Sequence, residues 1–211
     1  MRYDLHVHTD ASPCSRAAPA DIVEAATDAD LDGVAITNHD TLNGYDEVSD
    51  CAPSELTVIP GVEVTTTQGH LLALFVDQEP PQTDPLAVIE HIHKQDGLAI
   101  LSHPFDHFRE YYKTNLDSIA SRVDAVEAQN SRCLFPRFNR RAREFADQHN
   151  LAITGGSDAH FPMEVGRSST VCDQPLREAI QSRSTQTAGR GSYLSGHTAT
   201  KLNDLLRRVN L

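Results

Sequence analysis

Histidines and carboxylates recur along this chain on short apolar segments, at spacings that suit metal coordination. Asp4, His6 and His8 stand in DLHVH, His39 and Asp40 in ITNHD, Glu63 in PGVEV, and His70 just before LLALF. His103 follows in LSHPF, and Asp158 with His160 in GSDAH. On a strand, residues two apart share a face, so Asp4, His6 and His8 are expected on one side and Leu5 and Val7 on the other. HxH alone is a weak signal, but HxH followed in order by NHD, GVE, SHP and SDAH is a strong one. Glu63 lies between valines, where a carboxylate is costly to bury unless paired or metal-bound. A carboxylate can also bridge two cations, which an imidazole cannot. Gly155 and Gly156, just before the last pair, would let backbone approach a ligand closely. Such ligands at the ends of many strands are how a barrel builds one polynuclear site. Mixed nitrogen and oxygen donors suit zinc, manganese or iron better than magnesium. His91 and His93, two apart on a helix, do not share a face. His107, His149 and His197 lack a motif, and all five read as structural or exposed.

The elements that must position these residues alternate. YDLHV, GVAIT, LTVIPG, LAILS, DAVEAQ and LAITGG are short β-rich runs. Pro19-Ala20-Asp21 opens a helix that Gly33 follows, and Asp84-Pro85 opens another running to Asp96-Gly97. A third is expected over Pro136–His149, and further ones near residues 175–183 and 199–209. Repeated βα units imply a parallel sheet with right-handed crossovers. One hairpin interrupts them, since Val62–Thr67 and Leu71–Val76 are joined only by Gln68-Gly69-His70. Six or seven strand units in 211 residues suit a small barrel.

At 211 residues and 39% hydrophobic content, the chain fits one domain with a real core. No stretch approaches the ~20 apolar residues that span a bilayer, and MRYDLHVH carries no signal peptide, so a soluble cytoplasmic protein is expected. Cys14, Cys51, Cys133 and Cys172 form no CxxC pair and read as reduced thiols. The net charge of −12, rich in Asp and poor in Lys, is expected of a protein of a high-salt cytoplasm, with an ordinary acidic cytosolic protein as the alternative, and disfavours a polyanionic partner such as nucleic acid.

DLHVHTDAS, AITNHDTLNG, VIPGVEV, HLLALF, LSHPF and GSDAHF, in this order, resemble the PHP (polymerase and histidinol phosphatase) family. The resemblance implies a single domain over residues 1–211, with core motifs in 1–165 and a PHP-associated tail in 166–211. The implied fold is a distorted (β/α)7 barrel with a metal cleft at the strand C-termini. The implied activity is hydrolysis of phosphate esters with two or three divalent transition metal ions (Zn, Mn or Fe), a hydroxide bridging two of them as nucleophile. Carried over by motif, His6, His8, Glu63 and Asp158 would hold the first metal, Glu63, His70 and His103 the second, and His39 and His160 the third. Where many members place an acid or histidine soon after HxH, this chain has Pro13 and Cys14. Cys14 or Asp10 could complete the third site, or Cys14 could be a small buried residue. Asp40 or His160 could pass a proton to the leaving group, and Arg16, Arg132 or Arg137 could clamp the phosphate. Small phosphomonoesters (nucleotide, sugar or histidinol phosphates) are the expected substrates. A nuclease or phosphodiesterase, or a non-catalytic metal-binding regulatory barrel, is the alternative.

Overall fold

The computed structural model describes residues 1–189, so the helix expected near 199–209 lies outside the described residues. The elements are β1 (Arg2–Val7), α1 (Pro19–Asp28), β2 (Gly33–Ile36), α2 (Tyr45–Cys51), β3 (Thr57–Thr65), β4 (His70–Leu74), α3 (Pro85–Lys94) and β5 (Leu98–Ser102). They continue with α4 (Leu116–Ala120), β6 (Ala125–Asn130), α5 (Pro136–His149), β7 (Ala152–Gly156), β8 (Ser168–Val171), α6 (Leu176–Gln181) and β9 (Gln186–Gly189). The helices begin as the sequence implies. Proline occupies the first turn of α1, α3 and α5, and Asp84 caps α3 by accepting from the Leu86 N–H at 3.0 Å.

The strands form one sheet in the order β7-β6-β5-β4-β3-β2-β1-β8-β9. β1, β2 and β3 run parallel, as do β5, β6 and β7. β4 is antiparallel to both β3 and β5, so the hairpin reverses two pairings rather than one. His70 is the first residue of β4, paired with Thr65, and not part of the turn. The sheet curls until β1 and the segment after β7 meet. There the His8 N–H donates to the Ala159 carbonyl at 2.9 Å, and the Ala159 N–H to that of His6 at 3.2 Å. The result is a nearly closed, distorted seven-fold β/α barrel, with β8 and β9 added antiparallel beyond β1.

Among the described residues, three apolar clusters hold it together. Leu5, Ala35, Ile59, Leu72, Ile100, Ala125 and Ala152 from the barrel strands pack with Leu176, Ala179 and Ile180 of α6. Arg177 and Arg183 of the α6 region donate to the Asp96 and Asn150 carbonyls, in the loops that enter β5 and β7. Helix α6 therefore stops the end of the barrel away from the strand C-termini. The outer faces of the strands pack under α1 and α2 on one side and under α3, α4 and α5 on the other.

The regular alternation expected in β1 is broken. Its register against β2 shifts between Asp4 and Val7, as at a β-bulge. Leu5 joins the barrel-strand cluster, whereas Val7 packs with Ile22, Val34 and Ile36 beneath α1. Asp4 does not join His6 and His8. Its buried carboxylate accepts from the N–H groups of His6 (3.3 Å), Ser157 (2.8 Å) and Gly166 (2.8 Å), tying β1 to the last turn of the barrel. Burial lifts the Asp4 carboxyl to about 6, against those hydrogen bonds.

The two glycines before Asp158 let neighbouring strands pack closely. A Cβ on Gly156 would fall 2.4 Å from the His6 Cβ, and one on Gly155 2.6 Å from the Ser169 carbonyl oxygen. Gly156→Ala should cost about 1–3 kcal/mol as an overpacked substitution. Thermal unfolding should show this as a melting temperature lowered by roughly 2–4 °C per kcal/mol. An unchanged melting temperature would mean that the β1–β7 seam has slack.

Candidate metal centre

Each residue of the ordered motif set reaches the same rim. His6 ends up there from β1, with His8 just after it; His39 follows β2, Glu63 lies in β3 and His103 follows β5. Asp158 and His160 follow β7. His70 comes from the first residue of β4, and because β4 runs opposite to its neighbours its start faces the rim where their ends lie. Asp40, His103 and Asp158 leave their strands with φ of 56°, 27° and 58°, the left-handed region that Asn, Asp and His enter more readily than other side chains.

Glu63 is the centre of the cluster and is 1% exposed. Its Oε1 lies 3.0 Å from His103 Nε2 and 3.2 Å from His70 Nδ1. Its Oε2 lies 3.2 Å from His6 Nε2, 3.3 Å from His8 Nε2 and 3.3 Å from His39 Nδ1. The two oxygens thus face two different sets of imidazoles. Asp158 Oδ1 stands 3.5 Å from His8 Nε2 and 3.7 Å from His6 Nε2.

Several of these nitrogens are buried with no hydrogen-bond partner among the described residues: Nε2 of His6 and His8, and Nδ1 of His70 and His103. Leaving a buried polar atom unpaired costs about 1–3 kcal/mol, and such orphans are rare in native interiors. Those of His6, His8 and His70 point among carboxylate oxygens without bonding to them, as a donor set does that awaits a cation. Among the described residues, three groups have donor atoms close enough to share an ion. They are His6, His8 and Asp158; Glu63, His70 and His103; and His8, Cys14, His39 and His160.

The electrostatics agree. Burial alone would raise the Glu63 carboxyl, but the imidazoles of His6, His39 and His70 hold it well below the usual carboxylate range. Burial opposes a proton on His6, yet Asp158, Glu63 and Glu127 hold its imidazole well above the ordinary value. A field that favours one positive charge at this spot equally favours a bound cation. Burial, with the charges of His8 and Arg132, keeps His160 well below its ordinary value, hence neutral and able to ligate.

Three further residues shape the site. Glu127 of β6 is 1% exposed. Its Oε1 meets His6 Nδ1 at 2.9 Å, and its Oε2 accepts from the His103 backbone N–H at 2.8 Å. Asn130 donates to Glu127 at 3.0 Å and to Asp158 at 3.1 Å. Arg109 pairs with Asp158, bonds Asp106 at 3.0 Å and reaches Asn130 at 3.3 Å. The sequence offered a signal for Glu127, a glutamate in an apolar strand run, AVEA, just as in GVEV. For Arg109 it offered only nearness to LSHPF.

Of the arginines considered for phosphate, Arg16 and Arg132 border the centre, whereas Arg137 sits on α5 against aromatic rings. Arg16 is exposed and Arg137 stacks on the outer faces of Phe135 and Phe138. Arg132 is buried, with Nη1 3.5 Å from both Glu164 Oε2 and the Asp158 carbonyl oxygen. Asp40 accepts from the Thr65 N–H at 2.7 Å and the Thr65 hydroxyl at 2.8 Å, so both its oxygens hold the loop after β2 against β3. Outside the centre, His93 pairs with Asp124 at 2.9 Å and His149 with Asp117 at 3.4 Å; His197 lies outside the described residues.

Known proteins share this architecture. Residues 136–185 match the family model described as PHP-associated. Uncharacterized protein MJ0417 of Methanocaldococcus jannaschii is 32% identical over 174 residues, covering 80% of this chain and 69% of its own. A two-domain protein of Bacteroides vulgatus, described as containing a predicted PHP-like metal-dependent phosphoesterase, superposes with a TM-score of 0.77 at 21% identity. It covers 90% of this chain, which spans only 65% of its length. A Chromobacterium violaceum protein described as an amidohydrolase, with bound sulfate and no metal, matches 87% of this chain and 97% of its own, with a TM-score of 0.68 and 16% identity. At such identities the two structures speak for the fold alone. With the family model over α5 and α6, and a relative matched across most of both chains, this chain belongs to the PHP family.

Proposed function

We propose that the protein is a metal-dependent phosphoesterase acting on small phosphomonoesters, with two or three divalent transition metal ions at the barrel rim. The observation that carries this reading is the arrangement around Glu63, whose two oxygens face separate groups of imidazoles with orphaned nitrogens. His6, His8, Glu63 and Asp158 hold one ion, Glu63, His70 and His103 the second, and His39 and His160 a third. Zinc, manganese and iron suit this nitrogen-rich set. When bound, such ions lower the pKa of water to about 7 and neutralise charge on phosphoryl oxygens.

The chain's own residues do the rest. Glu127 takes the His6 Nδ1 proton in a hydrogen bond, which fixes the tautomer and turns the Nε2 lone pair toward the centre. His160 meets the Asp158 carbonyl through Nδ1 at 2.9 Å, leaving Nε2 to bind an ion or to exchange a proton. The two roles exclude each other at one nitrogen, so proton transfer from His160 belongs to a state in which it holds no ion. Asp40, engaged by Thr65, is worse placed for that transfer. Arg109 reaches the ligand cluster and is better placed than Arg16, Arg132 or Arg137 to meet a phosphate oxygen. The net charge of −12 argues against long nucleic acids as substrates. Amide hydrolysis is the second reading, favoured by the name of the Chromobacterium violaceum protein. A panel of chromogenic phosphate esters, short oligonucleotides and amides, assayed with each metal, separates the two. Turnover of amides alone would replace the phosphoesterase reading, and no turnover with full metal would leave a binding barrel.

Elemental analysis should find at least two divalent ions per chain, and Glu63→Gln should lose both together because one carboxylate serves two sites. Loss of a single ion would remove the bridging role. Asp158→Ala and His103→Ala should each lower phosphoesterase turnover by about 100-fold or more, with the fold intact by circular dichroism. Glu127→Gln, which leaves the proposed donor set intact and changes only the residue that supports it, should weaken metal affinity about 10–100-fold. Its turnover should recover at high metal concentration, which the ligand variants should not match. Wild-type affinity in Glu127→Gln would reduce Glu127 to a packing residue.

A further inference from the structure

We propose that Cys14 is a metal ligand. Its thiolate, with the imidazoles of His39 and His160, holds the outermost ion of the centre in a mixed sulfur and nitrogen site. This rests on the reading of the rim as a metal centre and adds to it a residue and a selectivity.

The donor atoms of His8, Cys14, His39 and His160 all lie within 4.8 Å of one another. His8 presents a buried, unpartnered Nε2 to this neighbourhood. That nitrogen also lies 3.3 Å from Glu63 and 3.5 Å from Asp158, so it faces the inner ions as well. The remaining three residues give a Cys-His-His set with a position open to water or substrate, the pattern of zinc sites that do chemistry.

The loop that carries Cys14 is fastened to the backbones of these same histidines. The Ser12 hydroxyl accepts from the His39 N–H at 2.9 Å. The Ser15 hydroxyl meets the His8 carbonyl at 2.9 Å and the His160 carbonyl at 3.0 Å. The Arg16 N–H donates to the His160 carbonyl at 3.2 Å, and the Asp10 N–H to that of Ala17 at 3.0 Å, closing the loop on itself. Ser12 and Ser15 are both fully buried, while Cys14 between them is half-buried and His39 is 31% exposed. A loop held from both sides of Cys14 fixes its sulfur beside the three imidazoles, and a supported position of this kind is what a ligand needs. On binding, the thiol proton passes to solvent and the sulfur–metal bond replaces it. Thiolate is a soft donor, so this site should prefer zinc, cobalt or iron over manganese and magnesium.

Cobalt(II) added to the chelator-treated full chain tests the assignment. The visible bands of cobalt report any bound ion, and a near-ultraviolet thiolate-to-cobalt charge-transfer band reports sulfur ligation. Wild type and Cys51→Ser should show both, the charge-transfer band rising with the last equivalent bound. Cys14→Ser should lose the charge-transfer band and keep the visible ones. The assignment is overturned if the band survives in Cys14→Ser, or if wild type saturates with cobalt and shows none. Should Cys14→Ser fail to fold, alkylation of wild-type Cys14 by iodoacetamide decides: cobalt protection supports ligation, and equal labelling with and without cobalt refutes it. Absence of all cobalt bands in wild type would instead sink the metal-centre reading itself.

Discussion

Glu63 is a charged side chain in the middle of a barrel strand, with Val62 and Val64 turned to the apolar layer beneath the helices. An ion so placed costs several kcal/mol unless charges and hydrogen bonds compensate it. The compensation comes from imidazoles delivered by β1, β2, β4 and β5. Those imidazoles are themselves buried and need carboxylates, so Asp158 and Glu127 enter from β7 and β6. The rim is a mutual arrangement of acids and imidazoles in which no member is stable alone. Removing one charge leaves its partners buried and unmatched, which is why the centre constrains every barrel strand at once.

Around this core runs a layer of small polar side chains that set backbone positions rather than touch an ion. Asn38 and Thr9 exchange two hydrogen bonds of 2.8 Å, joining the loops after β1 and β2. Asp40 locks β2 to β3 through Thr65, Asp4 locks β1 to the turn after β7, and Tyr112 donates to the His70 carbonyl at 2.7 Å. Rigidity of the histidines thus comes from their backbones as much as from their ring contacts.

Much of this was legible in the sequence because metal chemistry restricts residue types tightly. The HxH, NHD, GVE, SHP and SDAH segments announce strand ends, and the proline-led helices follow from local capping preferences that tertiary context leaves alone. The rest depended on non-local packing. The bulge that sends Leu5 into the barrel and Val7 beneath α1 arises from the shifted register against β2, which no period in DLHVH encodes. β4 reverses against two partners because β5 lies beside it, a fact about crossover geometry rather than turn residues. α2, α4, β8 and β9 are short, with weak periodicity, and form because the barrel offers them a surface. Glu127 had the same apolar setting as Glu63 but no flanking motif. Arg109 lies in a loop where an arginine is ordinarily solvated.

The seam between β1 and the end of β7 bears on how the chain is made. Asp4 meets the Ser157 N–H across 153 residues of sequence and the Gly166 N–H across 162. At ribosomal speeds of 5–20 residues per second, β1 is synthesised roughly 8–30 s before the residues that close it. Throughout that interval one edge of β1 presents unpaired N–H and C=O groups beside two histidines. Such an edge is a template for pairing with a neighbouring nascent chain, and it is covered only when the segment after β7 and then β8 arrive beside it. Closure of the barrel is therefore also the protection of its first strand, and a truncation before Gly156 exposes that edge permanently.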